Sequence, residues 1–280
     1  MEGRVDQYAV VGHPVAHSFS PFIHSLFARQ TGQSLSYRLM DVPPERFTEQ
    51  VYEFFASGGR GLNVTLPHKT RALALAHELT ERARLAGALN TLAARRDGTL
   101  LGDNTDGAGL VQDLTVNLRV PIRGRSIMLI GAGGAARGVI APLLALEPQR
   151  IVIANRTAER AAALAAAFTA LGAVEGYGFG ELGAQPFDLI VNATSASLTG
   201  ELPGVPAELF GPDTFCYDMA YGRGDTPFVR WARELGCREA TPGWGMLVEQ
   251  AAESFRLWRG VRPLTAPVLA ALTGRAAAGG

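Results

Sequence analysis

A chain of 280 residues with 26 basic and 26 acidic side chains has no net charge, which argues against a surface built for nucleic acid or anionic membrane. Its 47% hydrophobic content is ample for one large domain or two medium ones. No run of about eighteen apolar residues marks a membrane span, and the first twenty residues hold no apolar stretch of signal-peptide length. Cys216 and Cys237 are too few for a disulfide framework and have no metal-site spacing, so the expected setting is reducing and cytoplasmic, with no metal.

The first apolar strand is expected over residues 7–12, ending at Gly12 and Pro14. Pro21 then opens a helix, "FIHSLFARQTG", that stops near Gly32. "SYRLMDV" reads as a second strand, "PPERFTEQVYEFFAS" as a helix, and "GLNVTL" as a third strand stopped by Pro67. Helices are predicted over 69–76 and 78–85, then a strand pair with Asp97-Gly98 as its hairpin turn. Strands alternating with helices predict an α/β layer. A helix near 103–120 joins it to a second unit that opens with the strand 126–130. There "RIVIAN", "FDLIVNAT" and "TFCYDMA" read as further strands, with helices at "TAERAAALAAAF" and "TPFVRWARELG". "CREATPG" leads into a long last helix, "MLVEQAAESFRLWRG", and the tail "GRAAAGG" is expected to be disordered. The fold class is α/β, a doubly wound Rossmann-type sheet beside a second α/β unit.

"GAGGAARG" sits between a strand and a helix, the context in which a glycine loop carries meaning. Gly131 allows the tight turn, Gly133 lets the backbone approach a pyrophosphate, and Ala136 permits close helix packing, while the helix N-terminus supplies free N–H groups. The next strand ends in Asn155, Arg156, Thr157 and Arg160 rather than in the acid that would hold a ribose 2′-hydroxyl. Arg156 and Arg160 can form a fork for a 2′-phosphate, and Thr157 can donate a hydroxyl or cap the helix. The missing acid favours NADP over NAD.

In the first unit, polar residues gather at the strand ends. Ser18 and Ser20 follow the first strand, and Asn63 and Thr65 alternate on the third, toward Lys69. Asn90 lies in the fourth strand, and Asp106 lies in "GDNTDG". This set suits a small polyhydroxylated anion. Each member also has a plainer reading: Ser20 and Asp106 can cap helices, and Asn90 and Thr91 can satisfy a turn. Lys69 is different, because it is the only lysine in a chain whose other basic residues are all arginine. Reducing a carbonyl requires a proton for the developing alkoxide, which lysine can release and arginine cannot. Asp106 would position such an ammonium. Whether Lys69 would carry the proton or clamp the oxygen stays open at this level.

The motifs "GHPVAHSFSP", "NVTLPHK", "GALNT", "GDNTDG", "GAGGAARG", "NRTAER", "NATS", "YDMAYGRGDTP" and "GWGMLVEQAAESFRLW" together resemble the shikimate dehydrogenase family, in order and over almost the whole chain. The resemblance implies reversible NADPH-dependent reduction of 3-dehydroshikimate to shikimate in aromatic amino acid biosynthesis. It implies a substrate domain from residues 1–106 and 243–280 and an NADP domain over 107–242, in a monomer or homodimer. It makes Lys69 and Asp106 the catalytic pair, and Ser18, Ser20, Asn63, Thr65, Asn90, Tyr221 and Gln250 further substrate contacts. It adds Gly131, Gly133, Gly134, Ala135, Asn155, Arg156, Thr157, Arg160, Ala193, Thr194, Ser195, Met219 and Gly243 as cofactor contacts. Tyr221 and Gln250 come from the resemblance alone. His13 stands where the family more often has asparagine, in a turn-forming position. Three rivals share some features: a broader quinate/shikimate dehydrogenase, a methyltransferase of related fold, and a non-catalytic ligand sensor. Asn155-Arg156 speaks against the second, and the Lys69 and Asp106 pair against the third.

Overall fold

The computed structural model describes residues 5–222 and 224–278. In chain order its first part contains β1 (Asp6–Gly12), α1 (Ser20–Thr31), β2 (Leu35–Asp41), α2 (Phe47–Ala56), β3 (Gly59–Val64), β4 (Glu78–Leu79), α3 (Glu81–Ala86), β5 (Thr91–Ala94), β6 (Leu100–Asp103) and α4 (Asp106–Gln112). There follow β7 (Ser126–Ile130), α5 (Gly134–Leu144), β8 (Arg150–Asn155), α6 (Ala158–Ala166), β9 (Val174–Gly178) and β10 (Leu189–Asn192). The chain continues through β11 (Phe215–Asp218), α7 (Pro227–Glu234), β12 (Glu239–Pro242), α8 (Trp244–Arg259) and α9 (Ala266–Ala278). It divides into two units, one running to Gly109 and including Leu247–Leu272, the other comprising Leu110–Met246 and the chain from Thr273. Among the described residues no helix is long and apolar enough to cross a membrane.

The first unit is a six-stranded sheet in the order β2-β1-β3-β5-β6-β4. β2, β1 and β3 run parallel, and the β5–β6 hairpin turns at Gly98, which has a φ of 84°. Successive strand residues face opposite sides, so Ala9, Val11, Leu62 and Val64 pack with Phe47, Val51 and Phe54 around α2. The register sets Tyr8 beside Tyr37 and Gly61, and Val10 beside Leu39 and Asn63. Trp258 of α8 lies 4.8 Å from the Tyr8 ring and directly over Gly61, where a Cβ would come within 2.4 Å of its indole nitrogen. Two residues further along the same face, β3 presents Asn63. Aromatic packing thus gives way to polar groups within one side-chain repeat.

The second unit is an all-parallel sheet in the order β12-β11-β10-β7-β8-β9. The winding reverses between β7 and β10, the switch point at which such sheets bind ligands. Ile127 and Leu129 pack with Val139 and Ile140 of α5, whereas Met128 and Ile130 pack with Phe228 and Val229 of α7. Burial on both faces explains the unbroken apolar run of β7.

Some expectations change. The two helices predicted over 69–76 and 78–85 are a 3₁₀ turn, Arg71–Leu75, and the short α3. Glu78 and Leu79 pair with β6, and the Thr80 hydroxyl accepts from Ala83 N at 3.3 Å, which caps α3 there. β9 and β12 escaped the sequence reading because both are short edge strands, and "VEGYG" holds two glycines. The tail is helical through Ala278 rather than disordered, as its alanines favour, while Gly279 and Gly280 lie outside the described residues.

Candidate active site

The turn after β3 is anchored from below. His68 is fully buried, its ring stacked on Phe47 at 4.3 Å, and its Nε2 donates to Val42 O at 2.7 Å. Leu89 N donates to Lys69 O, so the backbone of the next residue is pinned as well. The Lys69 ammonium then donates to Asp106 Oδ2 at 2.6 Å, with side chains only 14% and 7% exposed. Asp106 Oδ1 accepts from Asn90 Nδ2 at 2.9 Å, and Gln250 Oε1 lies 3.2 Å from the same amide nitrogen. Asn90 Oδ1 accepts from Thr105 N and from the Thr91 hydroxyl. Asn63 Nδ2 is shared among Asn90 O, Thr91 Oγ1 and Ser254 Oγ at 3.0–3.2 Å.

The loop that delivers Asp106 is also fixed. Asp103, wholly buried at the end of β6, accepts from Thr80, from Arg82 twice and from Asn104 N. Burial alone would raise the Asp103 pKa, but these donors outweigh it and hold the carboxyl below its ordinary value.

The structure therefore brings Lys69, Asp106, Asn90, Asn63 and Gln250 into one hydrogen-bonded chain. Ser18 and Ser20 pair with each other at 3.1 Å, and the Thr65 hydroxyl has no hydrogen-bond partner among the described residues. Ser20 is not a side-chain cap: α1 starts at Ser20 itself, and its N-cap, Phe19, makes no side-chain capping bond. Nor is Asn90 a mere turn residue, since its amide links four partners. Sequence reasoning gave no site role to Thr105 or Ser254. Ser254 lies one turn beyond Gln250 on α8, and that spacing is the signal that could have found it.

In the second unit the glycine loop leaves β7 at the switch point. Gly131 adopts φ 109°, a conformation suited to glycine, with Thr194 and Ala193 at 3.1–3.3 Å from where a Cβ would sit. A Cβ at Gly133 would meet nothing within 4 Å, so the backbone is open to a ligand where Gly134 and Ala135 begin α5 and present free N–H groups. Asn155 ends β8 and donates to Thr157 O at 3.0 Å. Arg156 and Arg160 are exposed and make no ion pair among the described residues. Thr157 is the N-cap of α6 by position, but its hydroxyl makes no capping bond and stays available.

Across the switch point, buried Asn192 and Asp218 hold the remaining predicted contacts. Asn192 accepts from both the amide and hydroxyl of Thr194, and Met219 N donates to Asn192 O. Asp218 accepts from Asn192, Ser197, Thr226 and Ala220 N; burial nevertheless raises its pKa. The Ala193–Ser195 loop and Met219 are thereby set side by side, and Gly243 N bonds Ala220 O. Tyr221 packs on Trp244 at 4.9 Å, and burial pushes its phenol up to about 12, so it keeps its proton. An open glycine turn, a free helix N-terminus, two exposed guanidinium groups and no acid at the end of β8 fit NADP.

Comparison with known proteins gives the family. Three family models match: the shikimate dehydrogenase substrate binding domain over residues 10–92, shikimate / quinate 5-dehydrogenase over 115–199, and the shikimate 5'-dehydrogenase C-terminal domain over 243–273. The shikimate dehydrogenase (NADP(+)) of Methylococcus capsulatus is 56% identical over 267 residues, covering 95% of this chain and 96% of the relative. Among solved structures, an Ael1 enzyme from Pseudomonas putida superposes with a TM-score of 0.87 at 46% identity, covering 96% of this chain and 98% of that one. The shikimate 5-dehydrogenase of Thermus thermophilus, in complex with NADP(H) and shikimate, superposes with a TM-score of 0.84 at 34% identity, covering 97% and 100%. With over half its residues shared along nearly the full length of such a relative, the chain belongs to the NADP-dependent shikimate dehydrogenase family of aromatic amino acid biosynthesis.

Proposed function

We propose that Lys69 and Asp106 handle the proton in the reaction of this chain, the NADPH-dependent reduction of 3-dehydroshikimate to shikimate. The carrying observation is the 2.6 Å contact between the only lysine and a carboxylate whose other oxygen is held by Asn90. NADPH, when bound, supplies the hydride to the carbonyl carbon. Lys69 Nζ gives a proton to the oxygen as negative charge develops there, and in the oxidation direction the neutral amine takes it back. Asp106 orients the ammonium and accepts from the substrate hydroxyl.

Substrate binding is assigned to the first unit. Asn63, Thr65, Asn90 and Gln250 present amides and a hydroxyl to the ring hydroxyls, and Ser18 and Ser20 meet the carboxylate. Tyr221, a residue of the second unit, is assigned a further substrate contact through a phenol that stays protonated. NADP binding is assigned to the second unit: Gly131, Gly133, Gly134 and Ala135 take the pyrophosphate, and Asn155, Arg156, Thr157 and Arg160 take the 2′-phosphate. Ala193, Thr194, Ser195, Met219 and Gly243 line the nicotinamide end. Shikimate is the preferred substrate over quinate.

Absorbance at 340 nm with shikimate or quinate and NADP or NAD tests this reading. Shikimate with NADP should give the highest kcat/KM, at least about tenfold above NAD. Asp106→Asn should lose about a hundredfold in kcat or more. Equal efficiency on quinate would defeat the substrate assignment, and an active Asp106→Asn the pairing.

A further inference from the structure

An aromatic layer underlies the polar cluster on the same face of the first unit's sheet. His24 of α1 is 1% exposed, and neither ring nitrogen meets a partner at hydrogen-bonding geometry. Burial pushes its pKa down to about 3, and a weak interaction with Asn63 does not offset this, so the ring is neutral. Buried polar atoms without partners cost stability, so the position calls for an explanation. The imidazole lies flat on the Tyr37 ring, 4.2 Å between centroids and 6° between planes, with Phe27, Phe255 and Trp258 packed around it. It is a rigid backing for the phenol.

The phenol in turn contacts the site. Tyr37 Oη lies 2.7 Å from Asn63 Oδ1. Its role as donor is dictated by the far edge of the same amide. Asn63 Nδ2 faces the Asn90 carbonyl, which can only accept, and the Thr91 and Ser254 hydroxyls. The carbonyl edge of Asn63 must then point to Tyr37, and Tyr37 must donate. Asn90, held by Asn63 at its backbone oxygen, donates its own amide to Asp106.

We propose that Tyr37, backed by His24, is a positioning residue for the reduction: it locks the amide plane of Asn63 and, through Asn90, steadies Asp106. The proposal rests on the reading of Asn63 as a substrate contact. Without the phenol hydroxyl, the Asn63 carbonyl loses its donor and the amide can turn, which weakens substrate binding more than turnover.

Tyr37→Phe keeps the ring and its stack and removes only the hydroxyl. The expected result is a KM for shikimate raised about tenfold, with kcat within about threefold of wild type and the KM for NADP unchanged. Circular dichroism melts check that the variant is folded. The decisive measurement is the double variant with Asn63→Ala. If Tyr37 acts through Asn63, adding Tyr37→Phe to Asn63→Ala leaves the shikimate KM within about twofold of Asn63→Ala alone. Losses that multiply in the double variant overturn the proposal, as does a wild-type shikimate KM in Tyr37→Phe. An Asn63→Ala variant with unchanged shikimate KM fails differently, by overturning the assignment of Asn63 to the substrate.

Discussion

The two units carry two polar sites built on opposite plans. In the first, Lys69, Asp106, Asn90, Asn63 and Gln250 are already bonded to one another, so each donor and acceptor is aimed before any substrate arrives. In the second, the glycine turn is open and Arg156 and Arg160 have no ion pair among the described residues. On the proposed assignment of substrate to the first unit and NADP to the second, the difference follows from what each must recognise. A ring bearing several hydroxyls and one reacting carbonyl is told from its analogues only by groups held at fixed angles, and only preset groups can stabilise charge that develops during reaction. A phosphate is a concentrated charge with several equivalent oxygens, which free N–H groups and mobile guanidinium groups find without prior wiring.

The sharpest way to break this contrast is to swap charge for charge in the wired site. Lys69→Ala should lower kcat at least about a hundredfold while changing the shikimate KM only modestly. Lys69→Arg should fail almost as badly, because guanidinium can still pair with Asp106 but cannot release a proton. Steady-state rates of both variants, with NADP saturating, decide the matter. Near-wild-type turnover in Lys69→Arg would mean that the position needs only positive charge, and the wired site would then work like the glycine-loop cradle of the second unit.

A second contrast is acid sensitivity. All five histidines lie in the first unit; His68 anchors the turn before Lys69, and His24 backs Tyr37 beneath the wired site. Its pKa is about 3 when folded, against about 6.5 when unfolded. Above pH 6.5 the ring is neutral in both states, and its contribution to stability is fully present. As the pH falls below 6.5, the unfolded chain binds a proton that the folded chain refuses, so stability drops progressively toward pH 3. At pH 5 this linkage amounts to about 2 kcal/mol. Urea melts at pH 7 and pH 5 should show the loss in the wild type and a loss smaller by about that amount in His24→Phe, which keeps an aromatic ring on Tyr37. An equal loss in both would show that His24 is not the group responsible.

The sequence exposed the two sites unequally, for a related reason. The cradle is local: strand, glycines and helix follow one another within a few residues, and Asn155-Arg156 ends the next strand, so spacing alone located it. Lys69 was legible because composition made it an anomaly. Asn63 and Asn90 were legible as its polar neighbours, but the wiring through Tyr37 and Ser254 was not, since these come from β2 and α8 and only the folded unit brings them to β3 and the approach to β5. His24, with its apolar neighbours on α1, read as a plain helix residue. Short edge strands such as β9 were lost for another reason: two glycines in five residues carry no alternating pattern to detect.

The cradle makes the smallest and most selective prediction. Arg156 is exposed and unpaired among the described residues, so Arg156→Ala leaves no buried group without a partner and should not shift the melting temperature. Its effect should fall on NADP alone, with the KM rising about tenfold while those for NAD and shikimate stay near wild type. Arg160, on the first turn of α6, shares the load, so the double variant with Arg160→Ala should discriminate still less between the cofactors. Because exposed charges are screened, added salt should raise the NADP KM of the wild type more than that of the double variant. If NAD and NADP were weakened equally, the arginines would be acting on the pyrophosphate that both cofactors share. Preference for NADP would then rest on the missing acid at Asn155, an exclusion of repulsion rather than a gain of attraction.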